Sequence, residues 1–184
     1  AYTKPYGRVS TAYYRENGEM KFTVDTLDMY GDDESSAYYQ MKLSKKEAVM
    51  DPYFYSFTNR EEDQILMTSM CAPVLKNGEF AGLAGVDIAL TNFQILIDTI
   101  KPFEKAYAFL LSENGSIVAY PHGKYTGKPI AELYPQFNDS LNIYEKIRNG
   151  ESFSFTYIDS LNQERTYFSF APVSIGKPPT TWSL

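Results

Sequence analysis

The length and composition of the chain already restrict what it can be. Its 184 residues are 43% hydrophobic, so the chain can bury the core of one large domain or of two modules of about 90 residues each. The net charge of −6 is spread along the sequence, which excludes a basic nucleic-acid-binding surface and any attraction to an anionic membrane. No apolar run reaches the roughly 18 residues of a membrane span and no signal peptide is visible, and we interpret both ends as cut.

The first predicted elements are strands arranged around an Asn-Gly pair. Residues 8–15 and 20–24 have strand-like composition and flank Asn17-Gly18, a pair typical of a two-residue hairpin turn. A polar stretch with short helical pieces follows. Residues 64–75 and 80–90 then predict two longer strands joined by a second turn.

A helix is predicted next, over residues 91–101. Its apolar residues recur at helical spacing and form one stripe: Phe93, Leu96, Ile97 and Ile100. Thr91 is the expected N-cap, and Pro102 marks the exit from the helix. We expect this helix to lay its apolar stripe on a sheet and to connect two halves of the chain.

The second half repeats the pattern of the first. Residues 106–111 and 116–120 flank Asn114-Gly115, and residues 152–159 and 164–173 predict two longer strands. Hairpins therefore dominate both halves, which predicts an α+β fold with antiparallel sheets and flanking short helices.

Two short sequences support a duplication of one module. Glu16-Asn17-Gly18 recurs as Glu113-Asn114-Gly115 at an offset of 97 residues, and Ala72-Pro73-Val74 recurs as Ala171-Pro172-Val173 at an offset of 99 residues. Matches in the same order at nearly the same offset indicate an internal repeat. The expected modules are residues 1–100 and 101–184.

Residues for catalysis or metal binding are scarce. The single histidine, His122, lies beside proline and glycine and is expected in a surface loop, since one histidine cannot build a multi-histidine metal site. Nucleophile-elbow and phosphate-loop motifs are absent, and the acidic clusters at residues 31–34 and 60–63 are interpreted as solvated loops. The single cysteine, Cys71, is expected to be a small buried hydrophobe. We therefore predict a binding module without catalytic residues, metal or cofactor.

Three runs in the first half resemble the double Cache family of tandem PAS-like sensor domains. They are Met50-Asp51-Pro52-Tyr53, Ala72-Pro73-Val74 and the run from Gly82 to Ile88 that contains Gly85-Val86-Asp87-Ile88. The second half is similar to the family's membrane-proximal module, so the resemblance covers nearly the whole chain. It implies the extracytoplasmic, membrane-anchored part of a bacterial receptor, normally a homodimer, with its small-molecule ligand in the distal module, residues 1–100.

The resemblance also implies a set of ligand-binding residues. The family's Arg-x-Trp-Tyr step corresponds here to residues 36–39, where Ser36 replaces the arginine, and Asp87 matches the aspartate that binds the ligand's ammonium group. The candidate site residues are Tyr30, Tyr38, Tyr39, Tyr53, Tyr55 and Asp87. Because serine cannot hold a carboxylate as arginine does, we expect a ligand with an amine or similar donor, not necessarily an α-amino acid.

Several kinds of protein agree with this prediction. A methyl-accepting chemotaxis protein is favoured, and the sensor domain of a histidine kinase or of a cyclic-dinucleotide enzyme is the alternative. A non-signalling extracytoplasmic domain that docks a protein partner is a further alternative. The last is a cytoplasmic PAS-type accessory or redox sensor that uses Cys71 or a cofactor.

Overall fold

The computed structural model describes residues 8–25, 28–58, 60–175 and 181–184. The chain begins with a two-stranded antiparallel hairpin of β1 (Thr11–Glu16) and β2 (Glu19–Val24). Asn17 and Gly18 have φ values of 50° and 84°, as a two-residue type I′ turn requires. The predicted hairpin is confirmed, although its first strand begins at Thr11 instead of residue 8.

A helix and one antiparallel sheet complete the first half. They comprise α1 (Ala37–Ser44), β3 (Ala48–Val49), β4 (Tyr53–Tyr55), β5 (Ile65–Lys76) and β6 (Glu79–Ala89). Strands β3 and β4 pair with successive stretches of β5, which also pairs with β6 along most of its length. The two long strands form the predicted hairpin, and their register shifts at a bulge between Val74 and Leu75. Both strands are long, so they place side chains all the way from the turn at Asn77-Gly78 to the start of the connecting helix at Leu90.

The connecting helix α2 (Leu90–Ile97) starts directly at the end of β6. The prediction that Thr91 caps it is wrong, because the N-cap is Ala89, which has no capping side chain. The helix ends at Ile97 and therefore is shorter than predicted. Ile97 is buried and Phe93 lies edge-on to Trp182 with ring centroids 5.4 Å apart.

Polar side chains of α2 fix the helix to the second half. The Gln94 side-chain oxygen accepts hydrogen bonds from the Tyr120 amide at 3.2 Å and the Thr126 hydroxyl at 3.4 Å. One turn later, an Asp98 carboxylate oxygen accepts a hydrogen bond from the His122 amide at 3.2 Å. The end of β6 and the second half are thus joined through one short helix.

Short strands and two helices form the second half. They are β7 (Leu110–Leu111), β8 (Ile117–Ala119), α3 (Gln136–Asp139), α4 (Ile143–Arg148), β9 (Phe153–Ile158), β10 (Arg165–Phe170), β11 (Pro172–Ser174) and β12 (Thr181–Ser183). One sheet has the order β11-β12-β7-β8, while β9 and β10 pair with each other. The single strand predicted over residues 164–173 is interrupted at Ala171, because its first part pairs with β9 and its last part with β12. All pairing between described strands is antiparallel, so the predicted α+β class is confirmed.

Most of the apolar core lies in the second half. Its largest cluster is rich in aromatic rings and is formed by residues between Leu111 and Phe170. A second cluster joins α2 to the sheet of the second half and includes Leu90, Ile97 and Trp182. None of the described helices has both the length and the apolar character needed to cross a bilayer.

The recurring Glu-Asn-Gly and Ala-Pro-Val sequences have different surroundings in the two halves. Gly115, like Gly18, has a positive φ of 80°, but only Gly115 faces a neighbouring ring, that of Tyr144. Ala72-Pro73-Val74 lies inside β5, whereas Ala171 lies between β10 and β11. The division into modules 1–100 and 101–184 stays a prediction.

Candidate functional site

One face of the β4-β5-β6 sheet brings three polar side chains together. Ser69 lies directly opposite Asp87 across β5 and β6, and Tyr53 lies opposite Met67, two residues before Ser69 on β5. Residues that are opposite or two apart in an antiparallel sheet have side chains on the same face. The register alone therefore places Tyr53, Ser69 and Asp87 on one face.

Hydrogen bonds connect these side chains into a chain of three. The Tyr53 hydroxyl is bonded to the Ser69 hydroxyl, and the Ser69 hydroxyl donates to an Asp87 carboxylate oxygen at 2.5 Å. Ser69 is buried, at 4% exposure, while Tyr53 is half-buried and Asp87 is exposed. These hydrogen bonds thus lead from half-buried Tyr53 through buried Ser69 to the Asp87 carboxylate, which solvent can reach.

The negative charge of Asp87 affects the neighbouring groups. Burial, and after it the Asp87 charge, raises the pKa of Tyr53 to about 12, although the bond to Ser69 partly opposes the shift. Burial raises the pKa of the Cys71 thiol, and Asp87 adds to this effect. Burial, then Asp25 and Asp87, raises the pKa of Tyr55. The sheet face is therefore electronegative. Among the residues that the structure describes, no lysine or arginine forms a hydrogen bond or an ion pair with Asp87.

Aromatic rings extend this face toward the first hairpin. Tyr55 meets Phe57 edge-on with ring centroids 5.0 Å apart, and Phe57 stacks on Tyr14 of β1 at 4.9 Å. A cation beside Asp87 would lie near rings whose faces are negative. We call Tyr53, Tyr55, Ser69 and Asp87 the acidic face.

Of the other three predicted site residues, Tyr38 lies apart from the acidic face. Tyr38 packs edge-on against Phe80, with centroids 5.2 Å apart, and Phe80 precedes Asp87 by seven residues of β6, a separation of roughly 20 Å. The Tyr39 amide bonds to the helix cap, and Tyr30 is 70% exposed. The structure therefore brings Tyr53, Tyr55 and Asp87 together, while lining of the same cavity by Tyr30, Tyr38 and Tyr39 stays a prediction.

Ser36, at the position of the family's arginine, is a helix cap. Its hydroxyl accepts a hydrogen bond from the Tyr39 amide at 3.1 Å and donates to an Asp28 carboxylate oxygen at 2.6 Å. The guanidinium of Arg8 lies 4.5 Å from the centre of the Tyr38 ring. A guanidinium is thus present beside Tyr38, although it comes from a different part of the chain than the family motif predicts.

A cavity of about 320 Å³ borders the same sheet, beside Cys71 and Val86. It is lined by residues of β3, β5 and β6 together with Ile175, and it includes none of the six predicted site residues. Cys71 borders it and is half-buried, so the expectation of a buried cysteine is wrong. Cys71 is less enclosed than its apolar sequence context suggests, because much of the β5-β6 sheet is exposed, including Val86 at 63%.

The remaining candidates for chemistry are His122 and the acidic side chains. His122 is exposed, as predicted, in the turn Pro121–Gly123. Within residues 8–25, 28–58, 60–175 and 181–184, no three His, Cys, Asp or Glu side chains are grouped so that they could share a metal ion. Sequence reasoning missed Ser69, whose role depends on its register with Asp87, and the only signal for it was a polar residue inside an apolar strand.

The acidic face lies within a stretch of sequence that matches a described family. Residues 2–95, or 94 of the 184, match the family described as methyl-accepting chemotaxis protein-like, first PDC sensor domain. The chain belongs to this family. It is a chemoreceptor-type sensor domain, and the resemblance to Cache sensors seen in the sequence is confirmed.

Curated relatives of this sensor domain are chemoreceptors. Methyl-accepting chemotaxis protein PscA of Pseudomonas syringae pv. tomato is 32% identical over 134 residues, which are 73% of this chain and 19% of PscA. McpA of Pseudomonas putida is 29% identical over 121 residues, 65% of this chain and 17% of McpA. The chain therefore spans about a fifth of the length of the curated relatives it matches.

Solved structures share the fold of this sensor domain. The extracellular domain of a protein described as a histidine kinase, mmHK1S-Z2, is 27% identical with a TM-score of 0.70, over 91% of this chain and 59% of that domain. The ligand-binding domain of the Pseudomonas aeruginosa chemoreceptor PctC, in complex with GABA, is 24% identical with a TM-score of 0.60, over 94% of this chain and 71% of that domain. These similarities confirm the predicted PAS-like sensor fold.

Proposed function

We propose that this sensor domain binds a small amine- or amino-acid-like ligand on its acidic face and carries out no catalysis. The observation that supports this most directly is the carboxylate of Asp87, which is exposed, bonded to Ser69, and close enough to Tyr53 and Tyr55 for its charge to raise the pKa of both. A carboxylate beside aromatic rings favours a cation through ion pairing and through the negative ring faces.

The ligands of related sensors have compatible chemistry. PctC is described in complex with GABA, PctB of Pseudomonas aeruginosa with L-Gln, and CtaA of Pseudomonas fluorescens with L-serine. Each of these molecules carries a primary amine that is protonated at neutral pH. The amine is the group that all three would share at a site built around a carboxylate.

We propose that residues 1–100 form a membrane-distal module and residues 101–184 a proximal one. Asp87 lies three residues before α2, and the side chains of Gln94 in that helix and of Asp98 directly after it bond to backbone amides of the second half. A ligand that binds one arrangement of α2 more tightly shifts the equilibrium toward it, by no more than its difference in affinity. In this proposal the sensor domain is the extracytoplasmic part of a receptor, and the whole receptor is anchored in the membrane as a homodimer.

The output is proposed to be chemotaxis, in keeping with the family and with PscA. The sensor of a histidine kinase is the second candidate, which the similarity to mmHK1S-Z2 favours. The two differ in the cytoplasmic part of the receptor, so the intact receptor separates them. Addition of the ligand should change swimming behaviour for a chemoreceptor, and autophosphorylation of the receptor's own kinase domain for a histidine kinase.

The binding test compares two matched aspartate variants. Isothermal titration of the parent with GABA, L-serine, L-glutamine and simple primary amines should identify at least one ligand. Asp87→Asn should weaken its binding by tenfold or more, because a charged hydrogen bond contributes about 1.5–3 kcal/mol. Asp32→Asn, in an exposed loop, should leave the affinity unchanged. Equal affinity of Asp87→Asn and the parent would refute the acidic face as the site.

A further inference from the structure

The direction of the hydrogen bonds in the acidic face is fixed by proton counting. A serine hydroxyl has one proton, and that of Ser69 is donated to Asp87 at 2.5 Å. The bond between Tyr53 and Ser69 must therefore use the proton of Tyr53. Because the pKa of Tyr53 is raised to about 12, mainly by burial, this proton is retained at neutral pH. Both hydroxyl protons point along the chain toward Asp87.

Only acceptors are then left for a ligand. Tyr53 keeps a lone pair on its oxygen, and Asp87 keeps its second carboxylate oxygen and its exposed side. Ser69 is 4% exposed and so is not itself within reach. A molecule that approaches Asp87 and Tyr53 can donate hydrogen bonds to both groups and receives none from either.

We infer that Ser69 is a positioning residue that makes this site select cations bearing N–H groups over quaternary ammonium ions. This selectivity rests on the proposed amine-binding function and narrows its ligand class. An ammonium with N–H groups can bond to the Asp87 and Tyr53 oxygens in directions that Ser69 sets. A quaternary ammonium offers only charge, which the face of the Tyr55 ring attracts equally well in either case.

The neighbouring strand residue offers a matched control for a purely structural role. Thr68 is also buried, at 0% exposure, and its hydroxyl donates to the Met50 carbonyl at 2.5 Å. It is paired with Ile88 and lies on the opposite face of β5 from Ser69. Loss of either hydroxyl affects strand packing, but only loss of Ser69 should change the ligand preference.

The experiment measures affinity for two pairs of probes by isothermal titration of the whole chain. One pair is butylamine and butyltrimethylammonium, and the other is GABA and its N-trimethyl counterpart, so each pair differs only in methylation of nitrogen. The parent should bind the primary amine at least tenfold more tightly than its methylated partner, as one charged hydrogen bond predicts. This comparison needs no variant.

The variants then assign the preference to Ser69. Ser69→Ala and Tyr53→Phe should each reduce it by about tenfold, Ser69→Thr should retain it because the hydroxyl remains, and Thr68→Val should retain it even if the protein is less stable. A parent that binds both members of a pair equally would overturn the selectivity, and an unchanged preference in Ser69→Ala would overturn the role of Ser69. If the parent binds none of the four probes, the selectivity fails. If it also binds neither L-serine nor L-glutamine, the proposed amine-binding function fails with it.

Discussion

Packing of the connecting helix against the second half should contribute measurably to the stability of this sensor domain. Ile97 of α2 is 3% exposed in the cluster that contains Trp182, whereas Ile95, two residues earlier, is 69% exposed. Truncation of a buried isoleucine to alanine removes its transfer free energy and leaves a cavity, at a cost of about 2–5 kcal/mol. We expect Ile97→Ala to lower the free energy of unfolding by about 3 kcal/mol and Ile95→Ala by less than about 0.5 kcal/mol.

The comparison is clean because both variants make the same chemical change on one helix. The gain in helix propensity on replacing isoleucine by alanine is common to both, so it cancels in the difference. Trp182 is the one tryptophan of the chain and is 1% exposed, so its fluorescence in urea reports the unfolding of this cluster. With a slope of about 2 kcal/mol/M, the two midpoints should differ by about 1.5 M.

Far-UV circular dichroism should follow the same transition if unfolding is two-state. If the midpoints of Ile97→Ala and Ile95→Ala lie within about 0.3 M of each other, a difference of well under 1 kcal/mol, α2 does not pack on the second half as described. The same result would also remove the physical connection between Asp87 and the second half.

Two further matched comparisons test the acidic face and the turns. The thiolate is the reactive form of cysteine, and burial, followed by the charge of Asp87, raises the pKa of the Cys71 thiol. Alkylation of Cys71 by iodoacetamide at pH 8 should therefore be slow, should become faster as the pH rises, and should be faster in Asp87→Asn than in the parent. Identical rates in parent and variant would contradict the nearness of these two side chains. Gly115→Ala should lower the free energy of unfolding, measured by heat or urea, by about 2–4 kcal/mol, because an added Cβ would lie 2.0 Å from the Tyr144 ring. Gly18→Ala should lower it by about 1 kcal/mol, because an added Cβ there would meet nothing within 4 Å. Similar costs at both turns would show that Tyr144 does not pack over Gly115.

The sequence predicted the elements whose signals are local. Asn17-Gly18 adopts the left-handed backbone that makes this pair a hairpin turn, and the alternating residues of β9 form the strand that their period indicates. Local signals misled where several structures satisfy them. Thr91 is a good capping residue, but the chain enters α2 directly from β6, so the helix starts one residue earlier and needs no side-chain cap.

The composition and local patterns of this chain determined its antiparallel hairpins, its connecting helix and its resemblance to a sensor family, because turns and periodicity depend on neighbouring residues. The pairing of distant residues needed the tertiary structure. Ser69 and Asp87 are 18 residues apart, and only the register of β5 with β6 places the Ser69 hydroxyl against the Asp87 carboxylate. A shift of one residue would turn Ser69 to the opposite face, and such a shift depends on the packing of the whole sheet, which no short stretch of sequence specifies.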